Sequence, residues 1–179
     1  MPTSALQHQI LQTWPAYLLA YLVSFLTISA AWMAHSALTD RLTRSNPTFT
    51  QINLLLLLLV AFLPFPTKLV TDALALHNTD AERAAVTIYG LTLLAIRTLG
   101  SALDAYARHA HLYSPPGDGG DGDEVLGPRE KLLPVVMEYV IAILIGLFLP
   151  GVAVVLYCAI GVYLIVQFRH VARLLARRP

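Results

Sequence analysis

Four residues bring hydrogen-bonding chemistry into otherwise apolar stretches. Ser24, Trp32 and His35 lie in or near LVSFLTISAAWMAHS (residues 22–36), and Asn53 opens the next apolar run. A hydroxyl, an indole N–H, an imidazole and a carboxamide all cost free energy in hydrocarbon unless they are partnered. At about 100° per residue, Ser24, His35, Trp32, Ser36 and Ser29 fall on one side of a helix. Leu22, Leu26, Ala30, Met33 and Ala37 cover the other. Serines can bond back to their own helix, but the imidazole and the indole need partners elsewhere. Two readings stand: an interfacial Trp32 and His35 near the end of a span, or a hydrogen-bonding face that holds another helix in register. A metal site is not expected, because Leu38 and Thr39 occupy the positions three and four beyond His35.

Three charges sit inside apolar segments: Arg97, Asp104 and Glu138. Arg97 and Asp104 share a helix face but are too far apart for a direct pair. Arg97 is expected to snorkel or to pair with another helix, with a gating role as the sharper alternative. Glu138, a turn into its segment, suits either a cation or the helix dipole. No nucleophile, base or carboxylate pair forms a catalytic set. G-x-S-x-G, H-E-x-x-H and the phosphate loop are absent, so neither an enzyme nor a cofactor is expected. Asp118, Asp121 and Asp123 fail the calcium-loop pattern, since Gly120 breaks the spacing. The single cysteine, Cys158, lies in an apolar run and reads as a packing residue.

The segments that carry these groups are built for a bilayer. Of the 179 residues, 56% are hydrophobic and 13% charged, about half the charged share of a soluble domain. A hydrocarbon core of about 30 Å takes roughly 20 apolar residues of helix. Five segments meet or approach that length, over 16–38, 52–70, 84–106, 133–149 and 152–168. The expected fold is all-α, a polytopic helical bundle in which residues 1–179 form a single integral membrane domain. Pro150-Gly151 divides the last two spans into a tight hairpin. Thr50 is the expected N-cap of the second span, and Asn78-Thr79-Asp80 that of the third. The Gly-, Pro- and Asp-rich stretch over 112–130 is expected to be a mobile loop.

Basic residues orient the bundle. Arg41, Arg44, Arg108, Arg129, Lys131, Arg169, Arg173, Arg177 and Arg178 fall on one side, and Arg83 and Lys68 on the other. The first side, with the C-terminus, is therefore expected to be cytoplasmic. With five spans the N-terminus then lies outside, although it carries neither a basic leader nor a cleavage site. Leu6, Ile10, Leu11 and Trp14 give it the pattern of a short amphipathic segment. It reads as an external loop between two spans, which leads to the expectation of a preceding span. No basic run interleaved with aromatics points to nucleic acid.

YLVSFLTISAAWMAHSAL followed by INLLLLLLVAFLPFPTKLV resembles the transmembrane protein 175 family, the potassium-leak channels of lysosomes and prokaryotes. The resemblance rests on Ser24-Phe25, Trp32 and His35, then Asn53, the leucine run and Pro64-Phe65-Pro66-Thr67. It covers most of the chain and is most specific over 17–67. It implies passive, potassium-selective conduction by a homotetramer of six-span subunits in the cell membrane, with the potassium ion as permeant species. It also implies that His35, Trp32 and Asn53 anchor the F-S-D signature of the family's first helix. This sequence has no F-S-D, and Ser36 stands where the family often has a second histidine. The five spans would match the family's second through sixth, giving an N-terminally truncated subunit that does not conduct alone. Two alternatives remain: a non-conducting accessory protein that joins full-length paralogous subunits in the bilayer, or a small ion-coupled transporter using Arg97, Asp104 and Glu138. No inverted repeat supports the transporter.

Overall fold

The computed structural model describes the backbone of residues 3–76, 78–113 and 128–175, and side chains at Leu18, over 21–76 and 78–113, at Leu133 and over 136–166. These residues form α1 (Thr3–Thr39), α2 (Pro47–Phe62), α3 (Pro64–Leu76), α4 (Thr79–His109), α5 (Pro128–Phe148) and α6 (Pro150–Leu175). Because α2 and α3 are two halves of one span interrupted at Leu63, the described residues make five antiparallel crossings, as the apolar pattern predicts. Tyr21–Thr39, Pro47–Leu76 and Thr79–His109 are each long and apolar enough to cross a membrane, and Val136–Phe148 and Pro150–Val166 are shorter apolar helices. With its flanks α5 has 21 residues, about 31 Å at 1.5 Å per residue. Most of the expected mobile loop, 114–127, lies outside the described residues.

Several boundaries differ from the sequence expectation. The first helix starts at Thr3 and runs 37 residues, so the N-terminal segment continues the span instead of forming a separate external loop. Its residues 3–14 contain no glycine or proline, and half of them are good helix formers. The second span is capped by Asn46, not Thr50. Asn46 is extended and its Oδ1 accepts from Phe49 N at 2.8 Å, with Pro47 at the first helical position. Thr50 lies one turn inside, where its amide bonds Asn46 O at 3.1 Å. An Asn-Pro pair supplies both a side-chain acceptor and a preset φ, which outcompetes a later threonine. Asn53 therefore sits in the second turn. At α4 the expected cap is present: Asn78 Oδ1 accepts from Asp80 N and Ala81 N.

The α5–α6 reversal also follows the sequence, but by a different residue. Leu149 makes the corner, accepting from the amides of Val152 and Ala153 at 3.1 and 3.2 Å, and Pro150 opens α6. Gly151 has no positive φ, so the turn does not use its conformational freedom. Proline alone stops one ladder and starts the next.

The core is organised around α4, which packs against every other helix. Its inner face carries Ala85, Val86, Tyr89, Leu93, Ile96, Leu103 and Ala107, all buried. Tyr89, Tyr139 and Tyr157, from α4, α5 and α6, are the largest fully buried side chains. Tyr157 stacks with Tyr139 at 6.4 Å and meets Tyr89 at 5.8 Å between ring centroids. The close approach depends on Gly90. A Cβ there would overlap the Tyr157 hydroxyl and come within 2.7 Å of Ile143 Cγ1.

Candidate functional site

Among the described residues of α1, Ser24 and Thr27 are the buried polar ones, and Thr27 only donates back to Val23 O, whereas Ser24 reaches other helices. Its Oγ lies 2.7 Å from Thr67 Oγ1 on α3 and 3.1 Å from the Tyr89 hydroxyl on α4. Thr67 in turn donates to Leu63 O at 2.8 Å. One proton assignment satisfies the chain: Tyr89 donates to Ser24, Ser24 to Thr67, and Thr67 to the Leu63 carbonyl. Ser24 and Thr67 each give and receive while Tyr89 gives, so the hydroxyls polarise one another along the chain. Ser24 thus joins three helices, a role its own backbone could not satisfy.

The other three polar residues do not join that node. Trp32 is 66% exposed, and its ring lies 6.3 Å from that of His35. His35 is half-buried, yet among the described residues its Nδ1, shut away from solvent, has no hydrogen-bond partner, and the same holds for Asn53 Oδ1. Tyr21, Phe25, Ile28 and Trp32 form an exposed aromatic and aliphatic stripe along α1. The expected polar network therefore divides: Ser24 is satisfied inside the subunit, and His35 and Asn53 each hold an unused acceptor or donor position.

The three charges also separate. Asp104 belongs to a cap at the end of α4 and not to a buried pathway. Arg108 Nε and Nη2 donate to its Oδ2 at 3.1 and 2.9 Å, and the Tyr113 hydroxyl donates to its Oδ1 at 2.7 Å. The sequence reading placed Asp104 on one face with Arg97, too far for a direct pair, and did not name Arg108, one turn away, as its partner. Around this cap, Leu42 bridges Tyr113, Thr43 N bonds Leu112 O at 3.0 Å, and Asn46 Nδ2 donates to the Tyr106 hydroxyl at 3.0 Å. His111 adopts a left-handed φ of 52° to make the turn. Burial and the hydrogen bond to the Asp104 carboxylate push the Tyr113 phenol well above its ordinary value. Arg97 lies within electrostatic reach of Tyr139 and Glu138, but its Nε is buried without a hydrogen-bond partner. Glu138 itself is exposed. Among the described residues no three His, Cys, Asp or Glu side chains gather as a metal site.

An apolar five-crossing bundle with a polar node at a proline break can be compared with known membrane proteins. A family model described as the endosomal/lysosomal potassium channel TMEM175 matches residues 1–64. A potassium channel of Chamaesiphon minutus is 36% identical over 144 residues, 77% of this chain and 69% of that protein. The chain belongs to the TMEM175 family of potassium channels. A potassium channel of Streptomyces collinus is 32% identical over 114 residues, 63% of this chain and 54% of its relative. The chain therefore spans about half the length of that relative. Among solved structures it matches a crystal structure titled as a lysosomal potassium-selective channel TMEM175 homolog from Chamaesiphon minutus. That match has a TM-score of 0.60 and 26% identity, and covers 89% of this chain and 77% of the other.

In this TMEM175 family member, sequence reasoning found Ser24 but not its partners. Thr67 was visible only as the residue after Pro64-Phe65-Pro66, and Tyr89 as one aromatic in an apolar span. Periodicity puts each on a helix face, but it does not bring the faces of α1, α3 and α4 together.

Proposed function

We propose that the chain is a potassium-selective leak-channel subunit that works as a homotetramer in the cell membrane with its C-terminus in the cytoplasm. The reading is carried by the likeness to the potassium-selective channel from Chamaesiphon minutus, which extends over 89% of this chain. Potassium would pass down its gradient without coupled chemistry, and no residue of this chain would form a covalent intermediate. Ion passage requires a path with moderate affinity along its length, and symmetric assembly around an axis is the usual way to build one.

An assembled state is supported by the exposed stripe of Tyr21, Phe25, Ile28 and Trp32 on α1, an apolar face open to a helix outside the described bundle. The orientation is supported by charge: Arg41 and Arg44, in the turn before α2, sit at the same end as Arg108, since that turn packs on the end of α4. A basic end of this kind faces the cytoplasm.

The test is purification, cross-linking and flux. Liposomes loaded with potassium and containing the protein should lose the ion at a rate set by the gradient, and much faster than they lose sodium. Cross-linking should trap a species of four subunits. Tight vesicles with only monomer in the membrane would refute the proposal.

A further inference from the structure

The second span is broken in the middle, and the break is tied to its neighbours by hydroxyls. Pro64 and Pro66 carry no N–H, so the carbonyls of Val60 and Phe62 lose their regular ladder donors. Leu63 N instead closes a tighter bond to Val60 O at 3.2 Å. The first full bond beyond the break is Thr67 N to Leu63 O, also at 3.2 Å, and the Thr67 hydroxyl bonds the same carbonyl. That hydroxyl is the one that meets Ser24, which meets Tyr89.

The break has two sides. Leu63 and Pro66 are fully buried against the bundle. On the outer side, Phe62 and Phe65 are exposed and lean on each other across the break, 5.4 Å between centroids. Above it, α3 packs on α1 and α4 and touches α2 only weakly. A helix with missing rungs bends readily at the gap, so the direction of α3 is set by its packing on α1 and α4 together with what holds its first turn. Among the described residues, Thr67 makes the only side-chain hydrogen bond from that turn to other helices.

We propose that Leu63–Pro66 is a joint within the second span and that Thr67 is the positioning residue that locks it. Its hydroxyl completes the broken ladder at Leu63 and couples the angle of α3 to α1 and α4 through Ser24 and Tyr89. Releasing the lock lets α3 swing about the joint and changes the conduction rate. This last step rests on the channel reading above; the mechanical step does not.

Spin labels on the exposed residues Leu58 of α2 and Leu76 of α3 measure the joint directly in the full chain, with Cys158 replaced by alanine. The unmodified joint should give one narrow distance distribution. Thr67→Val keeps the shape and removes the hydroxyl, and should broaden that distribution at least twofold. Thr67→Ser should restore it. Pro66→Ala returns an N–H to the Phe62 carbonyl, so it should narrow the distribution even beside Thr67→Val. Potassium efflux from liposomes should change at least threefold in Thr67→Val and return in Thr67→Ser.

An unchanged width in Thr67→Val, or no recovery in Thr67→Ser, overturns the lock. A broadened joint with unaltered efflux overturns its link to conduction. If the parent protein carries no potassium, the channel reading fails, and the distance measurements still decide the joint. Should Thr67→Val not fold, Ser24→Ala removes the same contact from α1 and is read by the same widths.

Discussion

The hydroxyl of Tyr157 occupies the space that a side chain at residue 90 would need. Tyr157 Oη approaches Val86 O at 3.4 Å, and a Cβ on Gly90 would overlap it and stand 2.8 Å from Tyr157 Cζ. The contact joins α4 to α6 where Tyr89, Tyr139 and Tyr157 meet. It is a packing requirement on one residue set by another 67 positions away, and neither sequence context announces it.

Gly90→Ala should therefore destabilise the bundle. Alanine favours the helix by roughly 1 kcal/mol, but overpacking costs roughly 1–3 kcal/mol, and here two side chains must give way. A net loss of about 1–2 kcal/mol is expected, read as a lower unfolding midpoint in detergent. Tyr157→Phe removes the overlapping oxygen and should recover part of that loss in the double variant. A Gly90→Ala protein as stable as the parent would show that α6 can shift freely.

The cap at the end of α4 gives a prediction about pH. Tyr113 has its phenol pushed above the ordinary value near 10 by burial and by Asp104. The group is raised in the folded state, so its contribution is fully present below about pH 10. It is lost as pH climbs from there through the folded value. Tyr113→Phe should remove this alkaline loss while leaving the acid side alone. The measurement is denaturant stability between about pH 8 and 11, and identical alkaline slopes in parent and variant would contradict it. Asp104 and Arg108 are each only partly exposed, at 36%. Their pair should add no more than about 1 kcal/mol in a double-mutant cycle.

What the sequence made legible follows from what repeats along a helix. Apolar length gave all five crossings, Asn78 announced the start of α4, and Pro150 announced the α5–α6 corner. Thr50 misled because it looks like a cap, while Asn46 has the better geometry one turn earlier. Ser24 was legible as a member of an interhelical polar face, though a serine can bond its own helix, and its partners lie 43 and 65 positions away. Asp104 shares a face with Arg97 at a spacing too long for a pair, and its actual partner, Arg108, went unnamed. Contacts between helices depend on rotation and depth, which a one-dimensional pattern leaves open.

Asn53 tests what an unpartnered polar atom costs inside the subunit. Among the described residues its Oδ1 is buried without a partner, and such a group costs roughly 1–3 kcal/mol. Asn53→Leu should leave the monomer in detergent equally stable or more stable by about 1 kcal/mol, with the cross-linked oligomer unchanged. Thermal unfolding and cross-linking check the two expectations. A destabilised monomer with normal assembly would place the partner of Asn53 within the subunit.

Arg97 is a charge within a span, and its fate discriminates a functional charge from a tolerated one. Its Nε is buried without a hydrogen bond, and Glu138 is near enough to act on it only through space. A cation held this way within a span gains little from its surroundings. Replacing it with an apolar side chain of similar length is then expected to cost nothing or to stabilise by about 1 kcal/mol. Arg97→Met should match the parent in unfolding midpoint or exceed it, and Glu138→Gln should change stability by less than about 0.5 kcal/mol. Their effects should add in the double variant, because the side chains share no direct bond. A strong coupling between them would mean that the pair closes in the membrane. In that event Arg97→Met should also alter potassium efflux, which makes flux the deciding measurement for a gating role at this position.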